Sequence, residues 1–414
     1  MKITKIECYV LLVPDVDDGA TSSAQDDIVV LVHSDEGVVG VGEADVNPWI
    51  ARACIEAPGT HTMGLGLTEM LIGQDPLDVE RLWERLYVGS AMNGRRGAVI
   101  HAIGALDIAL HDLRGKLLGQ PCYALLGADG TDGDTGRGHP LAEQAGADGA
   151  DDIVPRRRIM PYASLLGHGA TADAYSASLL AMATEARRRG FRGAKLELIL
   201  SGPYAHGGLR VPGHVLTEII AAVRQAVGPD FVLMADVGYG FPDAATCLET
   251  IRDWQDFDLF FLETPLPSDD VDGLAILARE QPIPIAAGEW LATRFEFLEL
   301  LDRGRVSVAQ PDVGRVGGLT EARRVCDLAG ARGRLIVPHA WKTGLSIAAA
   351  AHRAAATPHC PYIEFLPSDM SGSALRRELV PRDFSLVDGY IELSDRPGLG
   401  VEVDRDALER YRVG

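Results

Sequence analysis

The sequence lacks several features that mark other classes of protein. Its six cysteines are widely separated, at Cys8, Cys54, Cys122, Cys247, Cys326 and Cys360. They form no CxxC pair, which argues against a zinc cluster or a disulfide framework. The N-terminus MKITKIECYVLLVP alternates like a strand instead of resembling a signal peptide, and no apolar run approaches membrane-spanning length. These absences predict a soluble protein in a reducing, cytoplasmic setting.

Positive charge is also scarce. The formal net charge is −20, which argues against a nucleic acid or an anionic membrane as a partner. Two arginine triplets, 156–158 and 187–189, stand out, and we expect both to be solvated surface. With 414 residues and 47% hydrophobic content, the chain is long enough for more than one domain or for one barrel with an appendage.

Four carboxylates and one histidine recur at near-equal spacing through the second half of the chain, at Asp236, Glu263, Glu289, Asp312 and His339. The successive separations are 27, 26, 23 and 27 residues, each about the length of one strand, one helix and two loops. Each polar residue follows a short apolar run, such as FVLMA or LFFL. This pattern predicts an α/β fold, a (β/α)₈ barrel with a site at the carboxyl ends of its strands.

The remaining segments predict an appendage to that barrel. Residues 1–125 combine strand patterns with helical spacing and indicate an α+β capping domain, to which the tail 385–414 returns. Residues 158–384 carry the barrel pattern. Between them, residues 126–157 are rich in Gly and Asp and are expected to be an exposed insertion.

The insertion contains a partial calcium-loop pattern. Asp132, Asp134 and Glu143 occupy the first, third and twelfth positions of such a loop. Arg137, however, stands where the loop needs a glycine. The sequence therefore favours a plain solvated loop over a calcium site.

Three of the recurring acids suit a metal ion. Asp236, Glu263 and Glu289 belong to consecutive units, so their side chains are expected to converge at the mouth of the barrel. Three hard oxygen ligands without histidine or cysteine suit Mg²⁺ better than zinc or copper. A single such acid is often a surface residue or a helix cap, but three after consecutive apolar strands predict a magnesium site.

The next two units supply a candidate base. A carboxylate beside an imidazole fixes its tautomer and stabilises the imidazolium, so Asp312 would make His339 a general base. Across the barrel, Lys195 and Glu197 are two residues apart in a strand and point to the same face. Lys195 next to three acids is expected to act electrostatically, although an ordinary ion pair is the alternative.

Together these groups suit the abstraction of a proton α to a carboxylate. The resulting enediolate is a dianion, and Mg²⁺ with Lys195 would place positive charge where that negative charge develops. Glu364, which closes a later apolar run in PYIEFLP, would donate a hydrogen bond to the substrate if it were protonated. The predicted partner is a small anionic carboxylate substrate.

The residues resemble the enolase superfamily, and within it the mandelate racemase subgroup. The resemblance runs from VGVGEA in the cap through Lys-x-Glu, QPDVGRVGGLTEA, PHAWKTG and the IEF glutamate. It implies a modified barrel closed by an α+β cap, with Asp236, Glu263 and Glu289 on Mg²⁺, Asp312 and His339 as a dyad, and Glu364 facing the substrate carboxylate. It also implies substrate selection by cap loops near 15–23 and 47–57, and homo-oligomeric assembly.

One departure bears on the reaction. Members of the subgroup usually carry Lys-x-Lys, with the second lysine as a base opposite the histidine, whereas Glu197 stands there in this chain. Racemisation needs proton delivery on both faces, but dehydration needs only His339. The sequence therefore favours an acid-sugar dehydratase. The alternatives are a racemase or epimerase with Glu197 or Lys195 as second base, a lactone cycloisomerase, and a non-catalytic barrel that binds a metal or an anion.

Overall fold

The structure is a computed structural model that describes residues 1–17, 25–128, 156–368, 370, 373–381 and 384–414. Most of the predicted insertion, with the three acids of the partial calcium loop, lies outside the described residues. So does the part of the predicted cap loop from 18 to 23. Within the described ranges, no helix combines the length and the apolar character needed to cross a membrane.

The N-terminal part is an antiparallel three-stranded sheet covered by helices. The strands are β1 (Ile3–Leu12), β2 (Asp26–Ser34) and β3 (Val39–Ala44). The helices are α1 (Pro48–Glu56), α2 (Leu67–Leu71), α3 (Val79–Gly89), α4 (Ala98–Leu118) and α5 (Cys122–Ala128). Helix α4 lies directly on β3, because Gly40 has no side chain there: a Cβ on it would sit 2.1 Å from the Ala109 carbonyl oxygen. Gly119, in the left-handed conformation, ends α4.

The chain then enters the barrel through a short strand, β4 (Arg158–Ile159). The eight parallel strands that follow are β5 (Pro161–Leu165), β6 (Gly193–Glu197), β7 (Val232–Asp236), β8 (Leu259–Glu263), β9 (Ile285–Ala287), β10 (Val308–Ala309), β11 (Leu335–Ile336) and β12 (Ile363–Phe365). They pair in sequence order, with β12 beside β5. The Glu364 amide donates to the Pro338 carbonyl at 3.4 Å, which joins the last two strands and closes the ring. The predicted α/β barrel is confirmed.

Helices alternate with these strands and form the outer layer. They are α6 (Ala172–Arg188), α7 (Gly213–Val227), α8 (Ala244–Ile251), α9 (Val271–Glu280), α10 (Thr293–Asp302), α11 (Gly318–Gly330), α12 (Gly344–Ala355) and α13 (Ala374–Glu378). Large apolar side chains such as Tyr162, Met234 and Phe261 fill the inside of the barrel. The site at the carboxyl ends of the strands therefore rests on a packed floor, as is usual for this fold.

The C-terminal tail contacts both parts of the molecule. Its first two strands, β13 (Leu386–Val387) and β14 (Tyr390–Glu392), form a hairpin that pairs with β4. Its helix, α14 (Arg405–Tyr411), packs against β1, and the Val413 amide donates to the Val10 carbonyl at 2.9 Å. The tail thus covers the barrel floor before it reaches the cap.

Buried hydrogen bonds connect the cap to the barrel. The indole nitrogen of Trp83 in α3 donates to the Gly317 carbonyl at 2.7 Å. The Glu43 carboxylate in β3 accepts from the backbone amides of Thr343 and Ser346 at 3.1 and 2.6 Å, and from the Thr343 hydroxyl at 2.6 Å. Thr343 is the N-cap residue of α12. The bonds from Glu43 therefore connect the capping domain to the loop between β11 and α12.

The first arginine triplet differs from the prediction. Arg157 and Arg158 are exposed, but the Arg156 guanidinium donates to three backbone carbonyls, including those of Thr357 and Cys360 at 3.1 and 2.8 Å. The Thr357 and Cys360 carbonyls follow α12 and precede β12, so Arg156 fixes a turn at the base of the barrel. The prediction of a solvated surface is wrong for Arg156, because periodicity carries no information about which carbonyls of a distant segment a guanidinium contacts.

Candidate active site at the carboxyl ends of the strands

The three predicted metal ligands lie together at the mouth of the barrel. Asp236 and Glu263 are the last residues of β7 and β8, and Glu289 lies two residues beyond β9. One oxygen of each carboxylate lies within 4.8 Å of the other two, and all three side chains are buried. Their meeting follows from the parallel strands, whose carboxyl ends share one edge.

The backbone around these acids is held in uncommon conformations. Tyr239 and Thr264, which follow the first two acids, have φ of 59° and 43°, and Gly288 before the third has φ of 124°. Such positions persist where the surrounding contacts over-determine them, often at functional sites. Here the Gly238 amide and the Thr264 hydroxyl both donate to Asp236 Oδ1, at 2.8 and 2.6 Å. The sharp turns therefore orient the carboxylate.

The other two acids also have fixed partners. Glu263 Oε2 accepts from the Gln310 amide nitrogen at 2.6 Å. Glu289 Oε1 accepts from the Tyr239 hydroxyl at 2.8 Å, and the Tyr239 ring stacks on Trp290 with centroids 4.1 Å apart. Our sequence reasoning missed Gln310. A usable signal was present, because Gln310 directly follows β10, at the carboxyl-end edge of the barrel where the other site residues lie.

Lys195 in β6 lies at the centre of the acid cluster. Its Nζ is 2.8 Å from both Glu263 Oε1 and Glu364 Oε1, and 3.4 and 3.5 Å from Glu197 and Asp236. Burial alone would lower the pKa of Lys195, but the surrounding carboxylates raise it well above its ordinary value. The lysine is therefore a fixed positive charge among four acids.

Glu197 lies on the same face of β6, as its spacing predicts. Its Oε1 accepts from the Ser164 hydroxyl at 3.0 Å, and the same hydroxyl lies 2.7 Å from Glu364 Oε1. Burial, together with the neighbouring carboxylates, raises the pKa of Glu197 well above its ordinary value. Ser164 links the two glutamates, and the sequence analysis did not identify it because a serine in a strand has no distinguishing pattern.

The predicted dyad forms on the opposite side of the cluster. His339 Nδ1 is 2.6 Å from Asp312 Oδ2, while Asp312 Oδ1 accepts from the Gly314 amide at 2.7 Å. His339 Nε2 points to the acids, 3.4 Å from Glu289 Oε2 and 3.8 Å from Glu364 Oε2. The aspartate thus holds the imidazole so that its second nitrogen faces the metal-ligand side.

The charges of the dyad and of Glu364 depend on one another. Burial alone would lower the pKa of His339, but Glu364 and the hydrogen bond to Asp312 raise it to about 9. Burial would likewise raise the pKa of Glu364, but Lys195 and His339 lower it to about 2. Without a metal ion, these charges favour an ionised Glu364, and its role as a hydrogen donor to substrate stays a prediction.

The site as a whole has too much negative charge for its own cations. Lys195 and His339 are surrounded by six buried carboxylates, those of Glu197, Asp236, Glu263, Glu289, Asp312 and Glu364. Buried charges need partners or a coordinated cation. Because Asp236, Glu263 and Glu289 offer converging hard oxygens, the donor set fits a divalent metal ion.

Ion pairs between the cap and the barrel form a second wall of the site. Arg315 Nη2 is 2.5 Å from Asp45 Oδ2, and Lys342 Nζ is 2.7 Å from Asp26 Oδ1 and 3.5 Å from Asp45 Oδ1. These residues border a cavity of about 490 Å³. Sequence reasoning missed them, because their partners lie in segments that have no common spacing.

Comparison with known families accounts for both parts of the chain. Residues 11–127 match the family model of the mandelate racemase / muconate lactonizing enzyme N-terminal domain. Residues 178–407 match the model described as enolase C-terminal domain-like. The second match spans more than half of the chain, and the two together cover the cap and most of the barrel.

Individual relatives match along nearly the whole length. The chain is 32% identical to D-galactarolactone cycloisomerase of Agrobacterium fabrum, with 93% of this chain and 91% of the relative covered. It is 29% identical to D-xylonate dehydratase of Haloferax volcanii, with 93% and 85% covered. The crystal structure of 3,6-anhydro-D-galactonate cycloisomerase from Zobellia galactanivorans matches with a TM-score of 0.81 and 29% identity, with 100% of both chains covered. The chain belongs to the enolase superfamily, in its mandelate racemase and muconate lactonizing enzyme group.

Proposed function

We propose that the protein is a Mg²⁺-dependent enzyme that removes the proton α to the carboxylate of an acid sugar and dehydrates it to a 2-keto-3-deoxy acid. One observation carries this proposal: a single His–Asp base faces the acid cluster, and the position opposite it holds Glu197, whose Oε1 contacts Lys195 and Ser164. The relatives named as dehydratases and cycloisomerases of sugar acids and lactones support the substrate class.

Asp236, Glu263 and Glu289 would hold the ion. Hard carboxylate oxygens without nitrogen or sulfur ligands are the reason for choosing Mg²⁺. When bound, the ion would supply positive charge to the carboxylate of the substrate as the α-proton leaves. Lys195, held by Glu263 and Glu364 at 2.8 Å, would add a second positive charge on the side away from the dyad.

His339, in its neutral form, would then move the proton. Its Nε2 takes the α-proton, and the electrons of the C–H bond form the enediolate; Asp312 stabilises the imidazolium through its contact with Nδ1 at 2.6 Å. The same Nε2 returns the proton to the β-hydroxyl as its C–O bond breaks, so that water leaves. The enol that remains tautomerises to the 2-keto acid, and no oxidant or reductant is needed.

On the opposite face, the two candidate bases among the described residues are Glu197 and Lys195, and both have contacts. Glu197 Oε1 is 3.4 Å from the Lys195 ammonium and accepts from Ser164, so this oxygen already has two partners. Lys195 itself contacts four carboxylates and stays protonated. A racemase or epimerase would need one of these two groups to exchange a proton with carbon, whereas dehydration needs neither.

A lactone cycloisomerase is the second candidate. It is favoured by the 32% identity to D-galactarolactone cycloisomerase over 93% of the chain. Both reactions start with removal of an α-proton by one base, so the geometry of the dyad serves either. The non-catalytic barrel considered from the sequence fits less well, because the dyad and the acid triad are both assembled.

The product distinguishes these candidates. We would incubate the protein with Mg²⁺ and a panel of aldonic acids, aldaric acids and their lactones. A dehydratase releases 2-keto acid and water from an open-chain acid, whereas a cycloisomerase converts a lactone into an isomer of the same mass. If no member of the panel changed and none exchanged its α-proton in D₂O, the proposal would be wrong.

Exchange of the α-proton in D₂O tests the single base. We expect a His339→Asn variant to lose both exchange and product, and a Glu197→Gln variant to keep exchange at a reduced rate. His214→Asn, at an exposed position on α7, is the matched control. A His339→Asn variant that still exchanged the proton of one enantiomer, with Glu197→Gln inactive in exchange, would establish two bases and a racemase.

The remaining features of the proposal come from the sequence. The substrate is a small anionic acid, and neither nucleic acid nor membrane is proposed as a partner, in line with the net charge of −20. A cytoplasmic location and a homo-oligomer stay predictions; gel filtration with light scattering would test the second.

A further inference from the structure

The cavity between the cap and the dyad continues the active site away from the metal ligands. Asp45, in its wall, has a carboxylate oxygen within 4.8 Å of ligand atoms of both Asp312 and His339. A substrate with its carboxylate at the acid triad and its α-carbon at His339 would extend its remaining carbons past Asp45. The volume of about 490 Å³ lies within the range of roughly 300–1,000 Å³ typical of ligand pockets.

The charged groups in the wall of this cavity balance one another. Asp26 and Asp45 are paired with Lys342 and Arg315 at 2.5 to 3.5 Å. A second carboxylate or a phosphate at the far end of a substrate would have to compete with these pairs. A chain of hydroxyl groups needs both donors and acceptors without net charge, and this wall provides them.

One side chain in the wall has unmet hydrogen-bonding capacity. His101, in the first turn of α4, lines the cavity, and both of its ring nitrogens are buried without a hydrogen-bond partner among the residues that the structure describes. Polar groups buried in this way are uncommon in native proteins and cost stability unless a ligand or water satisfies them. A polar group of the ligand would satisfy one of these nitrogens if the ring turned it toward the cavity.

The charge state of His101 indicates which group that is. Burial and the Arg315 guanidinium lower the pKa of His101 to about 4, so the ring is neutral near pH 7. A neutral imidazole offers one donor and one acceptor. A hydroxyl group also donates and accepts, whereas a carboxylate only accepts.

We propose that His101 binds the hydroxyl group at the far end of the acid-sugar chain and selects substrates that carry it. This inference rests on the proposed function, because it assumes that the carboxylate end lies at the acid triad. His101 does not touch the reacting atoms; it acts through the position and affinity of the substrate. The cap thus contributes a specificity residue from a helix, outside the loops 15–23 and 47–57.

Pairs of acids that differ only in the terminal hydroxyl test this assignment. D-Galactonate and its 6-deoxy analogue form one pair, and L-mannonate and L-rhamnonate form another. Calorimetry with the Mg²⁺-loaded His339→Asn protein measures binding without turnover, and kcat and KM are measured in the otherwise unaltered enzyme. We expect the starting protein to bind the hydroxylated member of each pair more tightly. His101→Phe should weaken binding of that member roughly 10- to 100-fold and leave binding of the deoxy member unchanged, so that the preference disappears.

Two further variants make the result specific. His101→Asn keeps a donor and an acceptor, and we expect it to retain part of the preference even if His101→Phe folds poorly. His214→Phe, the same change at an exposed position, should leave both members unaffected. The loss should appear mainly in KM, with kcat changed less.

The outcomes separate the two proposals. If the starting protein binds no member of either pair, or binds both members of each pair equally, the assignment to His101 fails, whereas the proposed function fails only if no acid or lactone of the wider panel reacts. If it prefers the hydroxylated members and His101→Phe keeps that preference, or weakens both members equally, the assignment to His101 is wrong while the proposed function stands.

Discussion

The Tyr239 hydroxyl offers a clean perturbation of the acid cluster. Tyr239→Phe removes one oxygen and leaves the ring, which can keep its stacking on Trp290 at 4.1 Å. The backbone at φ 59° is equally uncommon for both residues, so the strain does not change. What is lost is the hydrogen bond of 2.8 Å to Glu289 Oε1.

The size of the effect follows from that single bond. A hydrogen bond to a charged group contributes about 1.5–3 kcal/mol. If that contribution orients Glu289 for a metal ion, its loss corresponds to roughly 10- to 100-fold weaker binding, because each 1.4 kcal/mol is about a factor of ten. Loss of an outer hydrogen bond to a metal ligand typically costs metal affinity by about the same factor.

Titration of the metal-free protein with Mg²⁺ measures the effect directly. We expect a higher dissociation constant for Tyr239→Phe and a kcat that falls by less than about fivefold once Mg²⁺ is saturating. Tyr204→Phe is the matched control, because Tyr204 contacts Tyr239 and Trp290 through its ring at 6.0 and 5.2 Å. Equal metal affinity in the Tyr239→Phe variant and the starting protein would refute the reasoning that Tyr239 orients a metal ligand.

Three further predictions concern the metal, the interface and pH. Chelation should abolish turnover, and added Mg²⁺ should restore it. Glu263→Gln should lower kcat/KM on the order of 10³-fold, whereas Glu249→Gln, at an exposed position, should not. Full activity of Glu263→Gln would exclude the role of Glu263 as a metal ligand. Trp83→Phe should lower the free energy of unfolding by roughly 1–3 kcal/mol in urea without changing kcat, because the indole bond to Gly317 is lost; unchanged stability would contradict this. Burial raises the pKa of Asp107 from 3.8 to about 7, so its contribution to stability is present below pH 4 and lost as pH rises through 7. Asp107→Asn should therefore flatten the fall in stability between pH 4 and 8 by up to roughly 4 kcal/mol, and an identical slope in both proteins would count against the assignment.

The barrel and the location of its polar residues could be predicted because both follow from local rules. A strand is an apolar run, and in parallel strands the residue at each carboxyl end faces the same edge, so spacing alone brings Asp236, Glu263 and Glu289 together. The end of helix α4 could be predicted in the same way, since the backbone preferences of Gly119 and Pro121 stop a helix there. Predicting the barrel strands and the end of α4 did not require knowing which side chains contact one another.

What could not be predicted depends on contacts between distant segments. The Ser164 hydroxyl contacts Glu197 and Glu364, which lie 33 and 200 residues away in the sequence. Arg315 pairs with Asp45, which lies 270 residues away. Serine and arginine at such positions have the same local pattern as any polar residue. The two nitrogens of His101 that have no partner among the described residues are also invisible in a sequence, because a missing partner is a property of the folded chain.

The contact of Glu43 with the start of α12 has a consequence for how the molecule unfolds. The amides of Thr343 and Ser346 are among those that an α-helix cannot satisfy within itself, and a carboxylate from the cap accepts from both. If the cap separated, these groups would lose their partner and Glu43 would need water. Cap and barrel should therefore melt together in one calorimetric transition, and a barrel expressed without residues 1–125 should be less stable than its size suggests.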